Sequence, residues 1–452
     1  MTNIINIKKG LDLPIAGAAE HRTTDALNIA TYAVKPTDYV GLIPRLKVAE
    51  GDTVAAGDVL FCDKKDERIC FTSPVAGRVK AVVRGEKRLL LAVVVEKDDS
   101  VAAASKAAAQ NLKEQMLQTG MWAMLRQRPF GIVANPDDAP KAIVVSCFDS
   151  APLAPCYDYV MAGREDDFCK GVEALATLTQ GKLHLCFRPE QQLMAAVSKL
   201  NVKNLELHTV KGPHPAGNVG PQIAQICPIN KGEVVWTMNV QDVATLGRLV
   251  ATGEYRPEKV VAVAGPKVSA PQYYRVMAGA CVESMVNGQQ GRIISGNVLT
   301  GTKIEANGFL GGYDSLITIL PEGDYYDFMG WLMPGFKKFS FTRTFASGFF
   351  NGCKNSFAKM QKCLGTNFDT NTHGEWRPLV FAGEFERVFP FDIYPMQLIK
   401  ACIIGDIELQ ENLGIYEVEP EDFALCEFID TSKTDIQPII RQALETLRKE
   451  AM

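Results

Sequence analysis

The segment KGPHPAGNVGPQ, residues 211–222, holds the residue types best suited to grip a ligand. Its glycines let backbone amides approach an anion, but its three prolines remove amides from any phosphate cradle. No G-x-G-x-x-G opens a helix in this part of the chain, so a dinucleotide or flavin site lacks both its tight turn and its close backbone approach. His214 has the chemistry to contact a redox ligand, although a loop histidine between prolines is more often pinned by local backbone. Arg126 and Arg128, in the run RQRPF, suit either an anionic ligand or, as the commoner case, a solvated helix C-terminus that complements the dipole. The twelve cysteines contain no C-x-x-C, and pairs such as Cys147/Cys156 and Cys353/Cys363 are widely spaced without accompanying histidines. No cysteine metal site is expected from them, and a reducing compartment is. No paired-carboxylate motif for general acid–base chemistry is evident, so no catalytic residue is assigned.

These residues need a frame, and hydrophobic periodicity supplies it. Residues 47–82 read KVAEGDTVAAGDVLFCDKKDERICFTSPVAGRVKAV, with Val48, Val54, Val59 and Leu60 recurring about Gly51-Asp52 and Gly57-Asp58. Glycine supplies positive φ there and aspartate closes an Asx-type turn. With a further glycine turn at residues 73–77 and a last strand over 88–96, the stretch predicts a small rolled all-β unit. It resembles the biotinyl/lipoyl carrier domain in fold. A working carrier presents its lysine eight residues before the second-half Pro74, where this chain has Asp66. Lys64 and Lys65 miss the position, so residues 63–68 are expected to form a solvated charged loop. The lead-in KKGLDLPIAG, residues 8–17, is expected to dock onto this barrel.

Apolar spacing over 112–125 suggests a helix and then a tighter turn. Runs at 141–147, 182–187 and 205–210 read as strands, separated by helices at 167–179 and 189–200, an alternation that predicts a parallel, Rossmann-like sheet. Ligands of such a sheet lie beyond the carboxyl ends of its strands, where the loop at 211–222 falls. Strands at 234–236 and 260–265 flank a helix over 242–251. Strands at 273–277, 292–296 and 301–304, with a short helix near 281–286, form a β-grasp-like, SLBB-type module ending near Leu320. The aromatic passage at 328–339 is broken by glycine and proline and cannot settle on one helical face. Burial is favoured slightly over a partner-binding surface. Helices follow over 395–404 with Gly405 as cap, over 419–428, and after Thr434. There Thr434 and Gln437 match a capping box, and Ile436, Ile440, Ala443, Leu444 and Leu447 repeat at helical spacing. The fold class is multidomain α/β and α+β. It comprises a biotinyl/lipoyl-like β unit (1–100), a Rossmann-like sheet domain (101–256), a β-grasp-like module (257–325) and a mainly helical C-terminal domain (326–452).

At 452 residues, 47% of them hydrophobic and 22% charged, the chain has material for several cores. A net charge of -4 gives no attraction for nucleic acid. The start MTNIINIKKGLDLPIAG lacks the pattern of a secretory signal, and the longest apolar run, residues 89–95, is too short to span a bilayer. Any membrane attachment is expected through partners.

Passages along nearly the whole chain carry a closer resemblance: KKGLDLPIAG, LRQRPF, GPHPAGNVG, NVQDVATLG, GRIISGNVLTGTK, GWLMPGFKKFS, TNTHGE and EPEDFALCEF. Together they resemble the A-subunit family of the sodium-translocating NADH:quinone oxidoreductases, which is similar in fold to the flavin-bearing subunit of respiratory complex I. The resemblance implies a peripheral subunit on the cytoplasmic face of the inner membrane. Its partners are then subunits B to F of a six-subunit complex that passes electrons from NADH to ubiquinone while exporting sodium. Flavins and iron–sulfur centres belong to those other subunits, and this one is expected to be a cofactor-free scaffold. A contribution to quinone positioning is left open. For it, His214 and Phe336 are the candidate contacts, because an imidazole hydrogen-bonds a quinone carbonyl and an aromatic ring stacks on its head. Two other readings stay open: a stand-alone flavin or nucleotide-binding oxidoreductase using the strand end at Val210, and an acyl or carboxyl carrier modified at Lys64 or Lys65.

Overall fold

Short alternating strands bury one face only by rolling against a second layer, and residues 31–97 do this with two antiparallel sheets. One has the order Leu90–Lys97 between Thr31–Val34 and Gly77–Arg84, with Thr53–Val54 on the far edge; the other is Pro44–Leu46, Val59–Asp63 and Cys70–Thr72. Leu60, Phe71, Val79, Val93 and Val95 fill the interior. Turns form at both Gly-Asp pairs, but not as Asx turns: Asp52 Oδ2 accepts from the Ala49 amide and Asp58 Oδ2 from the Ala55 amide, each at 2.7 Å, so each side chain reaches three residues back rather than two ahead. The charged loop at 63–68 is exposed but held by ion pairs, with Arg68 bridging Asp66 and Asp137 and Glu67 meeting Arg45 and Lys47. The computed structural model describes residues 3–25, 28–101, 111–330, 332–335, 338–339, 341, 345–346, 368–380 and 383–450.

The central layer is a seven-stranded sheet. Its strands are β1 (Asn3–Asn6), β2 (Arg126–Arg128), β3 (Ile132–Val133), β4 (Ala142–Ser146), β5 (Lys182–Phe187), β6 (Leu205–Lys211) and β7 (Val235–Thr237), in the spatial order β1-β6-β5-β4-β7-β2-β3. From β1 to β7 all pairings are parallel, and β2 and β3 add an antiparallel edge. Ile5 and Ile7, ahead of the lead-in, continue the sheet beside β6. The lead-in at 8–17 follows them away from the barrel: the Gly10 amide donates to the Arg387 carbonyl at 3.2 Å and the Leu11 amide to the His214 carbonyl at 2.8 Å. Gly10, at φ 148°, permits this path, because a Cβ there would lie 2.1 Å from the His214 oxygen.

Period-2 alternation sorts the side chains of β5 to the two faces. Leu183, Leu185 and Phe187 join the core with helices α1 (Glu165–Ala176) and α3 (Val240–Thr252), and Cys186 joins that of α2 (Val219–Ile226) on the other face. Helices α1 and α3 touch through glycine. A Cβ on Gly171 would come 2.0 Å from the Val243 carbonyl, and one on Gly247 1.7 Å from that of Asp167.

A six-stranded sheet follows, in which Glu258–Ala264 and Leu316–Leu320 are central and buried, and Thr23–Thr24 from the lead-in forms one edge. The C-terminal unit has its own core, built by Phe389, Leu398, Ile399, Phe423 and the stripe Ile436, Ile440, Leu444 and Leu447 of α4 (Ile436–Glu450). Its helix Pro395–Ile404 ends at Gly405 in the left-handed region, as the sequence predicts. The capping box at Thr434 and Gln437 does not form. Glu427, from the preceding helix Ala424–Ile429, accepts the Gln437 amide at 2.8 Å, and the buried Thr434 hydroxyl has no partner among the described residues. A carboxylate is the stronger acceptor at a helix start and displaces the hydroxyl.

Replacing Gly247 by alanine raises helix propensity, yet the missing space against Asp167 predicts the opposite sign. Gly247→Ala is expected to cost about 1–3 kcal/mol in chemical unfolding, and an unchanged or raised midpoint would show that the helices are not in backbone contact.

Candidate functional site

The natural crevice of the sheet lies where β4, β5 and β6 end, and the sequence brings three loops there. Ser146, the last residue of β4, places its Oγ 2.9 Å from the Phe148 carbonyl and 2.8 Å from that of Gly217, and accepts from Gln222 Nε2 at 2.9 Å. Ser150 Oγ accepts the Gly217 amide at 2.7 Å and meets His214 Nδ1 at 3.0 Å. The His214 amide donates to Asp12 Oδ1 at 2.8 Å. His214 is thus 3% exposed, and burial lowers its pKa to about 4, leaving a neutral ring at physiological pH. It fastens the lead-in to the sheet end, with its main chain engaged by Leu11 and Asp12.

An acidic turn from the C-terminal unit closes this crevice. Residues Pro420–Phe423 form a short 3-10 helix, and Glu419 and Asp422 cap it reciprocally. Arg128 Nη1 donates to Asp422 Oδ2 at 3.0 Å, its Nη2 donates to Glu421 Oε1, and its Nε lies 3.5 Å from Glu419 Oε1. Arg126 Nη2 reaches Glu419 Oε2 at 3.2 Å, and its guanidinium lies 5.3 Å above the Tyr313 ring. Arg441 of α4 donates to the Phe130 carbonyl at 2.7 Å. The solvated helix end expected for the two arginines is therefore corrected. They form strand β2, and Arg128 is 3% exposed, enclosed by carboxylates that lie 291 to 294 positions away in the chain.

The position of Asp422 gives this cluster its meaning. A Cβ on Gly220, in the first turn of α2, would sit 2.2 Å from Asp422 Oδ1. The carboxylate thus packs against the first turn of α2, close to where an anionic ligand would meet the helix amides, although its Oδ1 accepts no hydrogen bond among the described residues. Burial depresses the pKa of the Arg128 guanidinium, but Glu419, Asp422 and Glu421 outweigh it and hold the group charged. Burial pushes the Asp422 carboxyl up to about 7, against the pull of Arg128.

The other residues singled out by sequence lie elsewhere. In the aromatic passage Phe328 is 90% exposed and Leu332 62%, with Met329 and Met333 also exposed, so the burial expected for 328–339 is corrected for its described apolar side chains from Phe328 to Met333. Aromatics interrupted by Gly330, Pro334 and Gly335 share no common face to bury. Phe336 lies outside the described residues. No helix among the described residues is long and apolar enough to cross a membrane. Sequence reasoning looked for metal ligands only among cysteines. The one group of three or more potential ligands among the described residues is His184, Glu206 and His208 on β5 and β6. An E-x-H pattern within one strand was the available signal, since alternate residues share a face.

Three family profiles match consecutive parts of the chain: the NqrA N-terminal barrel-sandwich hybrid domain over residues 5–98, the NqrA second alpha/beta domain over 107–255, and the NQRA C-terminal domain over 260–306. The chain is 38% identical over 461 residues to the A subunit of the Na(+)-translocating NADH-quinone reductase of Neisseria meningitidis serogroup B, covering 99% of this chain and 100% of that protein. It is 38% identical to the protein of the same name from Vibrio atlanticus, with coverage of 99% and 100%, and 36% identical to that from Rhodopirellula baltica, with 99% of each. Among solved structures, a NAD+-reducing [NiFe]-hydrogenase in its H2-reduced state is similar over 69% of this chain and 55% of its own. That match has a TM-score of 0.35 and 12% identity, too loose to carry weight.

Arg128→Met leaves Glu419 and Asp422 buried without their cation, so stability is expected to fall by about 3–5 kcal/mol in denaturant unfolding. A loss below about 1 kcal/mol would mean the cluster does not clamp the C-terminal unit. The folded pKa of Asp422 lies above its unfolded value, so its contribution is present in acid and lost as pH rises through about 7. Asp422→Asn cannot titrate, and its stability relative to the parent is expected to improve from roughly pH 5 to pH 8. Parallel profiles would contradict the raised pKa.

Proposed function

The chain belongs to the A-subunit family of the Na(+)-translocating NADH-quinone reductases, and from that premise we propose that it serves the oxidoreductase complex as a component without a redox centre of its own. The observation that carries this reading is the filled crevice: Asp422, held by Arg128, stands against the first turn of α2 where a nucleotide phosphate would bind. In this proposal the Rossmann-like sheet and the lipoyl-like barrel are retained as architecture, and the barrel has Asp66 where a carrier would have its lysine. A stand-alone flavin or nucleotide oxidoreductase would need that crevice open.

The proposed partners are subunits B to F, with flavins and iron–sulfur centres among them, and the proposed seat is the cytoplasmic face of the inner membrane. The exposed apolar side chains of Tyr326, Phe328, Leu332 and Met333 favour this stretch as a face toward partners or ubiquinone, with Phe336 as its proposed quinone contact. His214, enclosed by Ser150 and Asp12, is better suited to holding this region in place than to touching quinone directly.

The purified chain is expected to show no stoichiometric flavin or iron–sulfur absorbance and no NADH turnover, while restoring quinone reduction to a complex assembled without it. Tightly bound flavin, or NADH oxidation by the chain alone, would overturn the proposal.

A further inference from the structure

Helix α2 ends at Ile226, so among the described residues no helix lies over the half of the sheet face nearest the strand starts, where His184, Glu206, His208 and Lys182 line a hollow together with Ile5 and Ile226. The parallel register sets His184 opposite Glu206 and Cys186 opposite His208, which places His184, Glu206 and His208 on one face across two neighbouring strands. His184 Nδ1 lies 3.0 Å from His208 Nε2, and Glu206 Oε2 lies 3.5 Å from the first and 3.9 Å from the second.

We propose that these three atoms bind one late first-row divalent cation, Zn2+ in the first instance, in a site independent of the redox role of the complex. Atoms at these separations lie on a circle of radius about 2.0 Å, which matches zinc–imidazole and zinc–carboxylate bond lengths. A cation at its centre reaches all three with little movement of the strands. Two imidazole nitrogens and one carboxylate select zinc, copper or nickel over sodium, calcium or magnesium, which prefer oxygen ligands.

The surroundings fit the same reading. Lys182 pairs with Glu206 Oε1, which orients the carboxylate and leaves Oε2 for the cation. His184 and His208 are 5% and 3% exposed, so their ring nitrogens face each other away from bulk water. His208 Nδ1 is buried without a partner among the described residues, so the ring can carry its proton there and offer Nε2 as the ligand. A hollow of 410 Å³ lined by Asn3, Lys141, Gly181 and Cys227 opens onto the pair, with room for entry and for a water as fourth ligand. The competing reading is a histidine pair held only by an N–H···N hydrogen bond.

The full untagged chain, stripped with EDTA, is titrated with Zn2+ by calorimetry and with Co2+ by absorption. One equivalent is expected to bind at micromolar affinity or tighter, with a Co2+ spectrum lacking a thiolate charge-transfer band. His184→Gln and Glu206→Gln, with circular dichroism unchanged, are expected to weaken binding at least tenfold, while Cys227→Ser leaves it unaltered. The proposal is overturned if the parent binds no more tightly than millimolar, if the two substitutions leave affinity unchanged, or if a thiolate band appears. Failure here leaves the absence of a redox centre untouched, because that is read from flavin and iron–sulfur absorbance.

Discussion

A buried guanidinium loses hydration worth several kcal/mol, and only ion pairing of good geometry returns it. Arg128 meets that condition through Glu419, Glu421 and Asp422, so strand β2 and the C-terminal unit hold together or neither is well satisfied. The arrangement gives direction as well as cohesion. Because a guanidinium presents several N–H groups in a fixed fork, it sets the orientation of the acidic turn and delivers Asp422 to Gly220. Closure of the crevice follows from the pairing rather than from the shape of the sheet.

The N-terminal lead-in acts on the same region from the opposite side. It extends the parallel sheet as β1, passes His214 with close backbone contact at Gly10, and reaches the six-stranded sheet at Thr23–Thr24. Residues before the barrel and residues near the chain end thus converge on the loop at 211–218. Ser146, Ser150 and Gln222 engage the Gly217 and Ala216 backbone of this loop, while Gln222 Oε1 is buried without a partner among the described residues.

The two faces of the central sheet differ in how they are covered. Helices α1 and α3, in contact through Gly171 and Gly247, make one face dry and apolar. The short α2 covers only part of the other, and the remaining strip carries His184, Glu206 and His208. Polar residues at fixed strand spacing offer geometry that a loop would have to be constrained to match.

Local signals were legible in the chain. The turns at Gly51-Asp52 and Gly57-Asp58, the β5 strand, Gly405 as a helix stop and the stripe from Ile436 to Leu447 all depend on neighbours within a few residues, and the structure keeps them. The passages shared with the family were equally visible, since motif identity needs no coordinates. The parallel pairing of β4, β5 and β6 was also legible from the alternation of strands and helices, whereas particular contacts between segments were not. Arg128 reads as a solvated cap because its carboxylates lie some 290 positions away; Thr434 reads as a cap because Glu427 competes only after two helices pack; the lead-in at 8–17 reads as docking onto the barrel because its bond to His214 joins segments some 200 positions apart. His184 and His208 are 24 positions apart and become neighbours only when β5 and β6 pair. Charge burial, cap competition and strand pairing are decided by the energy of contacts between distant segments, and only the tertiary structure brings those segments together.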